Sequence, residues 1–402
     1  MPSPLSSRTV EIIKATAPVL ETHGLDIVHA MYGRMFKNPE IRDMFNQSHQ
    51  GDDSQPRALT GAILAYAQNI DNLDALVPVV ERIAQKHVGL QILPEHYPHV
   101  GQALLDGMTD VLGDAATEEI IGAWHEAYWF LANILIERER KLYEDIAGAD
   151  GGWTGWRAFV IEASRRESDV IRSFQLRPVD GMPVLRHKAG QYLTFAFDIP
   201  ESGTVKRNYS ISTAPNGETY RISVKRESGG LASNWLHDQA LPGTVLNAAP
   251  PAGDFFLPDT PADPIVLLSG GVGLTPMVAM LETVAKDHPG TPVHFVHGAI
   301  DGSTHAMGDH VRALASDQPG LTTTVFYQSP RPEDISEQRF DQQGLIDRNW
   351  LAANTDIKRA SYFVCGPRAF MQAMINHLTA LGVPASRIHY EFFGPADALL
   401  AA

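Results

Sequence analysis

The chain has 402 residues, length for two or three domains, and its 44% hydrophobic and 20% charged content suits a protein that buries a sizeable core. The net charge of −15 argues against nucleic acid or an anionic membrane as a partner, because phosphates need clustered Lys and Arg. A single cysteine, Cys365, excludes a disulfide framework and cysteine-ligated zinc or iron–sulfur centres, and fits a reducing, cytoplasmic compartment.

Residues 1–147 read as helices almost throughout. The segment Met1 to Ser7 has no basic start and no apolar stretch, so it is not expected to be a signal peptide. Ser6 or Ser7 caps a helix carrying Val10, Ile13 and Ala17, which Pro18 is expected to interrupt. A second helix runs from Leu25 to Phe36 and stops at Asn38-Pro39. A polar loop follows, then an amphipathic helix through Leu59, Ile63 and Tyr66. After Pro78, the residues Val80, Ile83, Ala84 and His87 fall on one helical face, an apolar stripe that ends in an imidazole. The stripe alone favours a core histidine bonded to a neighbour over an iron ligand in an apolar pocket. A long helix from about Thr117 to Ile146 closes an all-α domain. No run approaches the roughly 20 apolar residues of a membrane span.

Gly148-Ala149-Asp150-Gly151-Gly152 reads as a linker, and beyond it the apolar period changes to two. Short strands near 158–162, 170–178, 192–197, 209–211, 220–225 and 244–248 predict a small antiparallel barrel. From Pro264 the pattern changes again. Continuous apolar strands at 265–268, 293–296, 322–327 and 362–365 alternate with helical segments, as in an α/β domain. The expected domains are therefore 1–147, 153–261 and 262–402.

Three constellations carry chemistry. A strand runs into Gly270-Gly271-Val272-Gly273-Leu274-Thr275-Pro276, where glycines let a pyrophosphate approach the backbone at a helix N-terminus; a tight structural turn is the alternative. A second strand ends at Cys365-Gly366-Pro367, and the two ends on one sheet edge would form a crevice. In the barrel, Arg207-Asn208-Tyr209-Ser210 sets a cation and a ring on one strand face, and Gly229-Gly230 leading to Ser233 offers another phosphate cradle.

These motifs, with Phe393-Gly394-Pro395, resemble the ferredoxin–NADP⁺ reductase family in order and spacing. With an all-α domain that resembles a globin in front, the whole chain resembles the flavohaemoproteins, the nitric oxide dioxygenase family. The resemblance implies haem b, FAD and NAD(P)H as cofactors. By it, His87 is the iron ligand, Tyr97 and Glu139 are its partners, and Tyr32 hydrogen-bonds oxygen. Phe45, Gln55, Leu59 and Lys86 line or flank the haem. Tyr209 stacks on the isoalloxazine, Ser210 bonds near its reactive nitrogen, Arg207 meets the pyrophosphate and Tyr192 is a further flavin contact. Phe392 to Pro395 covers the flavin's other face; members often carry cysteine where this chain has Phe392.

The activity implied is nitric oxide detoxification: NAD(P)H reduces FAD, FAD reduces the haem iron one electron at a time, and the oxygenated ferrous haem converts nitric oxide to nitrate. Rival readings are a flavin-centred NAD(P)H oxidase or reductase, and a gas sensor, against which the attached reductase argues. The expected partners are oxygen, nitric oxide and NAD(P)H, and the expected state is a cytoplasmic monomer. The strand ending at His297 to Gly302 brings no Arg or Lys to meet a 2′-phosphate, so NADH is favoured.

Overall fold

The computed structural model describes residues 5–42, 53–72, 76–200 and 202–393. The described chain falls into two compact units, one of residues 5–148 with 204–206, the other of the remaining residues from 149 to 393. No helix among the described residues is long and apolar enough to cross a membrane.

Residues 5–148 of the first unit form helices, α1 (Ser7–Met35), α2 (Pro39–Arg42), α3 (Ser54–Gln68), α4 (Val77–Leu90), α5 (Tyr97–Leu112) and α6 (Glu118–Gly148), while its residues 204–206 belong to the strand Gly203–Ser210. Ser6 is the cap of α1, its side chain accepting from the Thr9 N–H. The expected interruption at Pro18 does not occur, and α1 runs unbroken to Met35. A proline removes one backbone donor. The buried stripe of Ile13, Ala17, Leu20, Ile27, Val28 and Met31 continues past it and holds the helix together. At Gly24 α3 crosses closely: a Cβ there would lie 2.8 Å from Thr60 Cγ2.

In the second unit, β1 (Arg157–Arg166), β2 (Ile171–Pro178), β3 (Tyr192–Ile199), β4 (Gly203–Ser210), β5 (Tyr220–Lys225) and β6 (Val245–Ala248) form a six-stranded sheet in the order β4-β3-β6-β1-β2-β5. Its pairings are antiparallel, and an antiparallel bridge between Ile211, just beyond β4, and Ile222 of β5 joins the two ends, so the sheet curls into a barrel. Phe159, Phe174, Phe195, Phe197 and Tyr220 fill it. A short helix α7 (Leu231–Asp238) follows the Gly229-Gly230 loop.

The same unit continues as β7 (Ile265–Gly270), α8 (Leu274–Asp287), β8 (Val293–Ala299), α9 (Gly308–Ser316), β9 (Leu321–Tyr327), α10 (Pro332–Ser336), β10 (Gln342–Gln343), α11 (Arg348–Asn354), β11 (Ser361–Cys365), α12 (Arg368–Ala380) and β12 (Ile388–Glu391). The sheet is parallel in the order β10-β9-β8-β7-β11-β12. All six residues of β7 are buried, as its apolar run predicts for a central strand. The strand order reverses between β7 and β11, and such a switch point opens a crevice at the carboxyl ends of the strands.

Candidate functional site

The imidazole of His87 is held from one side by two oxygens. Its Nδ1 lies 2.7 Å from Glu139 Oε1 and 3.0 Å from the Tyr97 hydroxyl, and that hydroxyl donates to the same Glu139 oxygen at 2.6 Å. Nδ1 facing a carboxylate must carry the proton, which leaves the Nε2 lone pair for a metal. Glu139 is 2% exposed, so this charge is not spent on water. Burial, and then the Glu139 charge, push the Tyr97 phenol well above its usual pKa, so it stays a donor.

Several local features produce this arrangement. Gln91, in the left-handed region at φ 61°, ends α4, and the Ile92 N–H bonds back to the His87 carbonyl. Pro94 to His96 then makes one 3₁₀ turn that brings Tyr97 back under the imidazole. Tyr128 of α6 donates to the Tyr97 carbonyl at 2.6 Å, and Gly101 leaves room for its ring, since a Cβ there would lie 2.5 Å from it. Arg138, beside Glu139, forms a two-pronged ion pair with Glu81 at 2.6 and 2.9 Å, bracing α6 on α4.

On α1, Tyr32 is 7% exposed and stacks on Phe36 with ring centroids 5.2 Å apart. Burial raises its pKa, so the phenol keeps its proton. Gln55 and Leu59 lie one turn apart on α3; Leu59 packs against the helical core, and Gln55 Oε1 is buried without a hydrogen-bond partner. Lys86 is exposed on α4. Phe45 lies outside the described residues.

In the barrel, Arg207 and Tyr209 are half-buried on one face of β4, Asn208 is exposed and Ser210 is buried. The Tyr209 ring sits 6.1 Å from both Phe195 and Phe197, which fixes its plane. Burial lowers the Arg207 pKa, and burial raises that of Tyr209. On β3, Tyr192 OH and Thr194 Oγ1 are both buried without a partner, two residues apart on one strand face. Thr194 joins the site through its position two residues from Tyr192 in a strand of period two, the one signal the sequence carries for it. Ser233 does not face outward as a cradle residue should: its hydroxyl accepts from the Glu227 N–H at 3.1 Å and closes the loop. Gly229 is in the left-handed region at φ 71°, and a Cβ there would meet nothing.

At the carboxyl edge of the parallel sheet, Gly271 is left-handed at φ 52° and Gly273 sits against β11: its Cβ would fall 2.2 Å from the Cys365 carbonyl oxygen. Val272, Leu274, Thr275 and Pro276 carry the turn into α8, with the Thr275 hydroxyl donating to the Val272 carbonyl at 3.0 Å. Phe392 and Phe393 follow β12 at the same edge, Phe393 being 45% exposed. Gly394 and Pro395 lie outside the described residues.

Family comparison agrees with this division. Globin matches residues 29–135, the oxidoreductase FAD-binding domain residues 158–257, and the oxidoreductase NAD-binding domain residues 267–376. A flavohaemoprotein of Xylella fastidiosa is 52% identical over 402 residues, covering the whole of both chains. The chain belongs to the flavohaemoprotein family. A Rhizobium meliloti flavohaemoprotein is 46% identical over 97% of this chain and 98% of its own. The crystal structure of a Malassezia yamatoensis flavohaemoglobin with bound FAD and haem superposes with a TM-score of 0.88 at 28% identity, over 98% of this chain and 100% of that one. The FAD/NAD-binding domain of a nitric oxide dioxygenase from Vibrio cholerae is 37% identical, with a TM-score of 0.54, over 60% of this chain and 99% of that one.

As a flavohaemoprotein, the chain is an oxidoreductase of three parts, a globin fused to FAD-binding and NAD-binding domains, and its cofactors are haem, FAD and NAD(P)H. The side chains fit these groups. The His87 imidazole, with Nδ1 bonded to Glu139 and Nε2 left free to donate, suits an iron whose other ligands a porphyrin brings. The partnerless Tyr192 and Thr194 hydroxyls suit a polar ring system, and the close glycine turn suits a pyrophosphate.

Proposed function

We propose that this flavohaemoprotein oxidises nitric oxide to nitrate with oxygen, each NAD(P)H supplying the two electrons for two turnovers. The observation that carries this reading is the buried Glu139 carboxylate on His87 Nδ1. A carboxylate accepting that proton makes Nε2 a stronger donor, which favours oxygen chemistry and which simple carriage does not need. The similarity of the reductase half to a protein named nitric oxide dioxygenase supports the same reading.

When bound, haem supplies an iron that takes oxygen and single electrons, and FAD splits the two-electron hydride into single electrons. The side chains do the rest. His87 would hold the iron through Nε2; Tyr97 keeps its proton and holds Glu139 in place. Tyr32, protonated by burial, would donate a hydrogen bond to oxygen, with Gln55 and Leu59 of α3 as further distal-pocket residues; the family resemblance adds Phe45 and Lys86 to this set. Tyr209 and Tyr192 would orient the flavin, Ser210 would bond near its reactive edge, and Arg207 with Asn208, Gly229 and Gly230 would line its phosphate side, with Ser233 closing the loop behind them. Gly271 to Pro276 receives the nucleotide pyrophosphate, and Phe392 to Pro395 guards the nicotinamide entrance. We assign the domain boundaries as 1–147, 153–261 and 262–402. The partners are the two gases and the nucleotide rather than nucleic acid, and the protein acts as a cytoplasmic monomer.

The test is to supply purified holoprotein with NADH, oxygen and nitric oxide. Nitrate should form in step with nitric oxide loss, at two per NADH. Nucleotide oxidation indifferent to nitric oxide would sink the reading.

A further inference from the structure

Glu282 of α8 fills every acceptor position of its carboxylate. Oε2 accepts from the Thr213 hydroxyl at 2.9 Å and the Ala214 N–H at 2.7 Å. Oε1 accepts from Arg221 Nη2 at 2.8 Å and from His310 Nε2 at 2.7 Å. A carboxylate offers about four lone-pair directions, so this one is saturated. Its side chain is 13% exposed, and charge-assisted bonds in such surroundings are strong and directional.

The donors come from three places. Thr213 and Ala214 lie three and four residues beyond Ser210, the end of β4. Arg221 belongs to β5 and also donates to the Ser212 carbonyl, at the point where the barrel closes through the Ile211–Ile222 bridge. His310 belongs to α9. Glu282 itself lies two turns into α8, the helix that begins at the glycine turn. One carboxylate therefore joins the chain leaving the flavin strand to the helix leaving the nucleotide turn.

We infer that Glu282 is a positioning residue for hydride transfer, holding the flavin-side strand end and the nucleotide-side helix in one register. This rests on the reading of Tyr209-Ser210 as a flavin contact and of Gly271 to Pro276 as the nucleotide turn. Hydride transfer needs the nicotinamide C4 and the flavin's reactive nitrogen near contact, and a shift of about 1 Å costs up to about a hundredfold in rate. Loss of the clamp loosens that register and leaves each subsite formed by its own domain.

The experiment uses full-length holoprotein and the variants Glu282→Gln and Glu282→Ala, mixed anaerobically with NADH or its 4-deuterated form. In both, FAD content and NADH affinity should stay at parent values. The limiting rate of flavin bleaching should fall about tenfold to a hundredfold, with a changed isotope effect. Without nucleotide, amide exchange in the 207–214 peptide should speed up, while strands β1, β2 and β7 keep parent protection. Glu282→Gln, which keeps one acceptor oxygen, covers the case in which the alanine variant fails to fold. Folded, FAD-loaded variants with an unchanged limiting rate would overturn the clamp alone. Exchange accelerated across the whole unit, or rate loss explained by weaker NADH binding, would overturn it in favour of a structural role. Parent flavin that NADH does not bleach would sink the subsite reading and the clamp with it.

Discussion

His87 Nδ1 and Glu139 Oε1 stand 2.7 Å apart across α4 and α6, in a site where the carboxylate is 2% exposed. Replacing Glu139 by Gln keeps the shape and removes the charge that strengthens Nε2. The iron–histidine stretching frequency of the reduced protein should drop, and nitric oxide turnover should fall about tenfold to a hundredfold, the usual effect of losing such an outer partner. Tyr97→Phe should move both in the same direction by less, because Glu139 keeps its bond to Nδ1. An unshifted vibration in Glu139→Gln would show that the carboxylate does not tune the imidazole.

Tyr32 gives a second, independent handle. Its burial holds the phenol protonated across the working pH range, so its donor role should not titrate. Tyr32→Phe removes one hydrogen bond to a partly charged acceptor, worth about 1.5–3 kcal/mol, or roughly a tenfold to hundredfold faster oxygen release. Flash photolysis or stopped-flow release measures this directly. Parent-like release would move the donor role to another residue, with Gln55 the next to test.

Much of this is legible in the amino-acid sequence, and the gaps have physical causes. The helical stripe through His87 could not tell a ligand from a core histidine, because Glu139 and Tyr97 meet the ring from 52 and 10 residues away. Spacing along one helix carries no information about a second helix, so resemblance did that work. Pro18 predicts a break because a proline removes a donor, but the buried face around it outweighs one missing bond. Strands β10 and β12 were missed: two and four residues are too few for a period to register. Thr194 and Glu282 are ordinary residues in sequence, and only pairing and packing single them out.

Acid should destabilise the second unit in two stages. Burial lowers the His187 pKa from 6.5 to about 4, so the unfolded chain binds a proton there that the folded one does not. Stability is whole above pH 6.5 and lost as pH falls through about 4. Glu282 has the same sign at lower pH: burial raises its pKa, but His310, Arg221 and the Ala214 N–H outweigh that and lower it from 4.5 to about 2. Its contribution is present above pH 4.5 and disappears toward pH 2. Urea midpoints of the full chain, followed by flavin fluorescence between pH 8 and 4, should be flat above 6.5 and fall below it. His187→Gln should flatten part of that slope, and an unchanged slope would remove His187 from the account.

Coenzyme choice follows from charge at the end of β8. Asp301 lies just beyond that strand, and Arg331, the guanidinium that reaches it at 3.8 Å, is also held by Glu333 at 3.2 Å and Asp334 at 3.7 Å. Arg331 is thus shared among three carboxylates, and Arg339, the next cation, is paired with Asp334 at 3.8 Å and with Glu337 at 2.5 Å, so the local charge disfavours a 2′-phosphate. NADH should bind the holoprotein about tenfold or more tighter than NADPH, and Glu333→Gln should narrow that difference. Equal affinities by fluorescence titration would contradict this.

Gly273 tests the crevice itself. Its φ of −61° is ordinary, so backbone freedom does not require glycine there. Close approach does: a Cβ would lie 2.2 Å from the Cys365 carbonyl oxygen and 2.6 Å from the Gly366 nitrogen, backbone atoms that cannot swing aside. Gly273→Ala must therefore push the turn after β7 away from the end of β11, the two elements that frame the switch point. Overpacking of this kind costs about 1–3 kcal/mol, felt in the parallel-sheet half of the unit. The barrel has its own closed sheet and aromatic core, so FAD should remain bound while NADH affinity drops at least about tenfold. Gly271→Ala makes the comparison sharp: a Cβ there meets no atom, and the cost is only that of a left-handed φ of 52°. If Gly273→Ala bound NADH as tightly as the parent, the nucleotide would not lie in the crevice between β7 and β11.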